Sequence, residues 1–131
     1  MKKVITAVTV AFLGMAVSGQ AADTLKILTW KGYAPQKLVE EFEKETGIMV
    51  ELTFSNNEEM IAKLRATRGA GFDLAQPSQD RISAVQEKYK LYQPLDYSKV
   101  QEAQIIGSML KAVKQNTKVG DNSYGVPFCY G

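Results

Sequence analysis

Short apolar, β-prone runs alternate with amphipathic helical stretches along this chain, and that rhythm narrows the fold more than any other feature. Residues 25–30, Leu-Lys-Ile-Leu-Thr-Trp, predict a first strand. Pro35 then suits the first turn of a helix, in which Leu38, Val39 and Phe42 share a face opposite Glu40, Glu43 and Lys44. Gly47 stands where a helix ends on a left-handed residue. Residues 48–54 alternate apolar and polar side chains and predict a second strand. Ser55 and Asn56 both suit an N-cap, with Glu58 and Glu59 at capping-box spacing. Met60, Ile61 and Leu64 form the buried face of the helix that follows, and Gly69-Ala70-Gly71 breaks it. Residues 72–75 predict a brief buried strand, and Pro77-Ser78 the start of a third helix carrying Ile82 and Val85. Residues 89–95, with Pro94, read as extended. Ile105, Ile106, Met109, Leu110 and Val113 predict a further helix, and residues 123–128 a last strand.

This order is that of an α/β fold, a mostly parallel sheet flanked by helices. In such sheets ligands bind beyond the carboxyl ends of the strands. Two segments follow strand ends here, residues 30–33 and 76–80, and topology alone places a binding site there. No internal repeat or low-complexity linker interrupts the pattern.

The first residues have a different logic. Lys2 and Lys3 precede an apolar run from Val4 to Val17, and Ser18-Gly19-Gln20-Ala21-Ala22 leads to the first acidic residue, Asp23. These are the three parts of an export signal. Cleavage after Ala21 puts Gly19 and Ala21 at the two positions a signal peptidase inspects; cleavage after Ala22 would put Gln20 at the outer one. The apolar run is too short to span a hydrocarbon core of roughly 30 Å. Residues 1–21 are therefore expected to be removed, leaving residues 22–131 soluble, exported and not inserted in a membrane.

Composition then excludes several functions. The chain has 16 basic and 14 acidic residues, and loss of Lys2 and Lys3 leaves the mature part neutral. A neutral chain without a basic cluster is not a nucleic-acid binder. Cys129 is the only cysteine, so no intramolecular disulfide can form. Histidine is absent, which removes the commonest metal ligand and general base. It also leaves Cys129 without its usual activating partner, so it reads as a small apolar residue. Glu40-Glu41 and Glu58-Glu59 are adjacent pairs whose side chains diverge on a helix, unsuited to acid–base work. An exported enzyme is the competing class, but no nucleophile elbow or metal-ligand cluster supports it. No catalytic residue, cofactor or metal is expected.

Leu25 to Tyr33, then Phe42-Glu43-Lys44-Glu45-Thr46-Gly47-Ile48 and Ser55-Asn56-Asn57-Glu58, resemble the periplasmic spermidine/putrescine-binding protein family. Phe72-Asp73-Leu74, Pro77-Ser78, Gln93-Pro94-Leu95-Asp96 and Tyr124-Gly125-Val126-Pro127 continue the resemblance in the same order. It implies an α/β lobe of the periplasmic-binding-protein kind, one of two joined by a hinge, with a small solute trapped between them. The chain stops just after the last predicted strand, and the family's members are longer. Residues 22–131 are thus expected to be a truncated N-terminal lobe whose second lobe is absent. A truncated product that binds nothing is an alternative. The implied partners are a polyamine-like solute and an inner-membrane ABC permease, and the implied state is a periplasmic monomer.

The same resemblance carries over Trp30 and Tyr33 as an aromatic pair, Ser78 as a serine opening the third helix, and Asp80 at a variable contact position. Aromatic faces attract ammonium groups, and carboxylates neutralise them. Each residue also has a plainer role. Trp30 can be strand-end core, Ser78 a helix cap, Asp80 a partner of the helix dipole, Lys31 a solvated loop lysine, and Asn56 and Asn57 caps. One departure matters. Between the aromatic pair the family usually has a hydroxyl and an acidic residue, whereas Lys31 and Gly32 stand here. Lys31 would repel an amine, and with the N-terminus of the Ser78 helix it would favour a solute bearing an anionic group.

Overall fold

The computed structural model describes residues 23–129; the expected export signal, residues 1–21, lies outside them. Strand β1 (Thr24–Thr29) is central in a three-stranded parallel sheet ordered β2-β1-β3, with β2 (Met49–Phe54) and β3 (Leu74–Ala75) on its two sides. Parallel neighbours need long crossovers, and helices α1 (Gln36–Thr46) and α2 (Asn57–Thr67) occupy them. Gly47 ends α1 at φ +73°, its N–H bonded to Glu43 O at 2.8 Å. On the outer edge of β2, Val50 N–H donates to Glu43 Oε1 at 2.7 Å, so the helix satisfies an edge group of the sheet.

Register decides which side chains form the core. Leu28 pairs with Thr53 and Ala75, and Ile27 with Leu52 and Leu74, on opposite faces. Leu28, Met60 and Leu64 are buried together, which seats α2 on the Leu28 face. Trp30, Phe72, Ala75, Leu91 and Tyr92 pack around them. The Ile27 face is thinly covered. Leu74 is 51% exposed, so the expected third strand is shorter and less buried than its composition suggests. Within α1, Val39 and Phe42 are half-buried, but Leu38 is 60% exposed.

Beyond the sheet, a 3₁₀ turn (Gln79–Arg81) leads into α3 (Ile82–Tyr89), where Ile82 and Val85 are buried as expected. The third helix thus begins four residues after Ser78. Ser78 is extended, with φ −61° and ψ 141°, and the first turn after it closes as a 3₁₀ turn, Arg81 N–H donating to Ser78 O at 2.9 Å. Helix α4 (Gly107–Asn116) buries Leu110 and Val113, while Ile105 and Ile106 lie before its first turn. The expected last strand is reduced to β5 (Asn122–Ser123), antiparallel to β4 (Lys118–Val119). Residues 124–129 form no strand, and two of their backbone groups are taken by other elements while a third is missing. Tyr124 N–H donates to Thr117 Oγ1 at 3.3 Å, Gly125 O accepts from Tyr97 Oη at 2.7 Å, and Pro127 has no N–H to give. A Cβ on Gly125 would lie 2.9 Å from Thr117 Cγ2, so only glycine fits that approach. Among the described residues, no helix is long and apolar enough to cross a membrane.

Among the described residues two buried side-chain oxygens lack a hydrogen-bond partner, Ser55 Oγ and Tyr92 Oη. Tyr92 Oη is enclosed beside the core without a hydrogen bond, and burial pushes its pKa from 10.0 up to about 12. The unfolded chain loses this proton first. The phenol's contribution is therefore fully present below pH 10 and lost as pH rises through about 12. Tyr92→Phe removes the unpaired hydroxyl, and a gain of about 1 kcal/mol is expected. Urea unfolding at pH 7 and pH 11 checks both points: the variant should be the more stable and should lose less stability on going to the higher pH.

Candidate functional site

All three strands of the sheet end at one edge, and the chain leaving each supplies polar or aromatic groups. Residues 30–33 follow β1, residues 55–57 follow β2, and residues 76–80 follow β3. Backbone bonds bind these exits together. Ser55 N–H donates to Thr29 O and Gln76 N–H to Leu28 O, both at 2.9 Å. Gln76 is central to the arrangement. Its side-chain oxygen accepts from the buried Thr29 hydroxyl, and its backbone carbonyl accepts from Trp30 Nε1 at 3.0 Å.

Trp30 is therefore both core and edge. Its ring is half-buried against the Leu28–Met60–Leu64 cluster, and its N–H fixes the ring's direction. A turn follows, closed by Tyr33 N–H on Trp30 O at 3.2 Å and allowed by Gly32 at φ +88°. Lys31 projects from it, exposed, and forms no ion pair among the described residues. Tyr33 is 42% exposed, its ring centroid 6.1 Å from that of Phe128 and tilted by 40°.

On the β3 side, Ser78 and Asp80 are exposed. Asn57 holds Ser78 by two bonds, accepting from its N–H at 2.9 Å and donating to its Oγ at 3.0 Å. Asp80 Oδ2 lies 3.4 Å from Arg81 Nε, and Arg81 also reaches Glu58 at 3.6 Å. Of the residues expected from sequence, Trp30 is thus tied directly to the 76–80 segment. Lys31 and Tyr33 share its turn, while Ser78 and Asp80 are anchored by α2 and by Arg81. Three further residues belong to the arrangement. Gln76 lies in a segment already singled out, but its double bonding left no mark in the sequence. Asn57 reads as a cap, yet the cap is Asn56, in a reciprocal box with Glu59. Phe128 had only its place in an expected strand.

Residues 28–129 match the family model of the bacterial extracellular solute-binding proteins. The chain belongs to that family. It is 33% identical over 123 residues to the spermidine/putrescine-binding periplasmic protein of Salmonella typhimurium, an alignment covering 91% of this chain and 34% of that protein. With the putrescine-binding periplasmic protein PotF of Escherichia coli the identity is 36%, covering 92% and 32%. A solved structure described as a spermidine/putrescine ABC transporter from Listeria monocytogenes superposes with a TM-score of 0.66 at 35% identity, over 81% of this chain and 32% of that one. The substrate-binding protein PotD of Streptococcus pneumoniae gives 0.56 at 37%, over 66% and 26%. The chain spans about one third of the length of the curated relatives it matches. By name these two curated relatives are periplasmic binding proteins, one for spermidine and putrescine and one for putrescine. The resemblance and the fold class read from the sequence both agree with these matches.

Proposed function

We propose that this chain supplies the first-lobe part of a periplasmic polyamine-binding protein, the solute-capturing component of an ABC transporter. The observation that carries this reading is the placement of Trp30. Its indole N–H is spent on Gln76 O, so the ring's apolar face, and no hydrogen-bond donor, is what its exposed part can offer. An ammonium group and its methylene chain suit such a face, and Tyr33 and the Ser78 hydroxyl add a second aromatic and a polar contact. On this reading residues 1–21 are the export signal, residues 22–131 are the mature lobe, and the closed form is presented to an inner-membrane permease. The chemistry is capture and release with no covalent step, by a monomer that binds neither nucleic acid nor cofactor.

A solute with an anionic group is the second reading, and Lys31 favours it. Its other support is weaker, because Asn57 Oδ1 already takes the Ser78 N–H that an anion would use.

Trp30 is the only tryptophan, so intrinsic fluorescence reports this edge alone. Titration with putrescine and spermidine should give a saturable change, and titration with glutamate none. Saturation by glutamate alone would replace the polyamine reading with the anionic one. Saturation by no solute would favour a chain that binds nothing. Lys31→Glu removes one repulsive charge and adds an attractive one at an exposed position, where such pairs are worth about 1 kcal/mol or less. Its putrescine affinity should rise several-fold.

A further inference from the structure

The two bonds between Asn57 and Ser78 join residues 21 positions apart, across the exits of β2 and β3. Neither residue needs the other for its helix. Asn56 and Glu59 cap α2 between themselves, and the turn at residues 79–81 closes through Arg81 N–H on Ser78 O at 2.9 Å. The pairing therefore has another consequence. A serine on a surface turn has free rotation about its side-chain bond, and a ligand contact must overcome that loss of freedom. With Nδ2 donating to Oγ and Oδ1 accepting from the backbone N–H, both the side chain and the peptide plane of Ser78 are fixed before any ligand arrives. The amide also consumes one lone pair of Oγ and the only backbone donor, leaving one lone pair and the hydroxyl proton. Around this point the turn is braced twice more, by Arg81 on Glu58 at 3.6 Å and by Asn116 Nδ2 donating to Gln79 Oε1 at 3.2 Å.

We infer that Asn57 is a positioning residue of the binding edge, one that touches no ligand and acts by holding Ser78 ready for it. The inference rests on the reading of Ser78 as a ligand contact. Two measurements test it. The first needs no ligand: Asn57→Ala should accelerate hydrogen exchange at the Ser78 amide at least tenfold, with the α2 amides beyond its first turn little changed. The second is a double-mutant cycle with putrescine, read by Trp30 fluorescence. Asn57→Ala should weaken binding about tenfold in the chain with Ser78, and hardly at all in the Ser78→Ala background. A merely structural role would give equal losses in both backgrounds. Equal losses, or no loss in the chain with Ser78, overturn the inference, as does unchanged exchange at the Ser78 amide. A chain that binds no polyamine overturns the functional reading instead, and Ser78 exchange then decides alone whether Asn57 fixes the serine.

Discussion

Leu28→Ala is expected to lower stability by about 3 kcal/mol, the cost of emptying a fully buried leucine site that cannot collapse. Leu28 lies in the central strand, flanked by Thr53 and Ala75 and facing Met60 and Leu64, with none of its surface exposed. Collapse is resisted from both sides. The strand is held by ladders to β2 and β3, and α2 is pinned at its start by the Asn56–Glu59 box. For a domain of this size such a loss lowers the melting midpoint by roughly 15 °C. Leu38→Ala on the exposed part of α1 should stay within about 0.5 kcal/mol, as surface substitutions do. Thermal unfolding of the two variants beside the unsubstituted chain checks the contrast. Equal effects would mean that Leu38 on α1 contributes as much to stability as the Leu28 site beneath α2.

That contrast bears on what a sequence can disclose. The alternation of strands and helices was legible because each period is local: two residues in β2, near 3.6 in α2. The choice between Ser55 and Asn56 as cap was open in the sequence. It is settled by the sheet, since Ser55 N–H continues the ladder to Thr29 O and leaves Asn56 to begin the helix. The strand expected at residues 123–128 failed for a reason of the same kind. Its residues have β propensity, but Thr117 and Tyr97 reach it from other elements and take Tyr124 N–H and Gly125 O. At the candidate site, the strand-end rule pointed to residues 30–33 and 76–80, and both segments leave the parallel sheet at one edge. The Asn57–Ser78 pair, the Gln76 bonds and the approach of Phe128 to Tyr33 join distant positions, and no single-sequence period encodes them. Ile27, Leu52 and Leu74 show the converse. Their strand pattern was readable, but how thinly that face is covered depends on where the helices settle.

Trp30 should show the largest effect on binding, because two roles converge on it. Trp30→Ala withdraws packing from the Leu28 cluster, leaves Gln76 O without its donor and deletes the aromatic face. A desolvated cation–π contact is worth about 2 kcal/mol, so putrescine affinity should fall roughly 30-fold. The stability loss should be about 2 kcal/mol, below that of a fully buried aromatic, since the ring is only half-buried. Trp30→Phe separates the roles. It keeps a ring and most of the packing and drops the N–H bond, a loss of about 1 kcal/mol in stability, while affinity should stay within about tenfold of the unsubstituted chain. Calorimetric titration with putrescine reads both variants, since the fluorescent probe is gone. Equal loss of affinity in the two would assign the effect to the indole N–H and the Gln76 segment it holds. Full affinity in Trp30→Ala would reduce Trp30 to a core residue and remove the main support for a polyamine site at this edge.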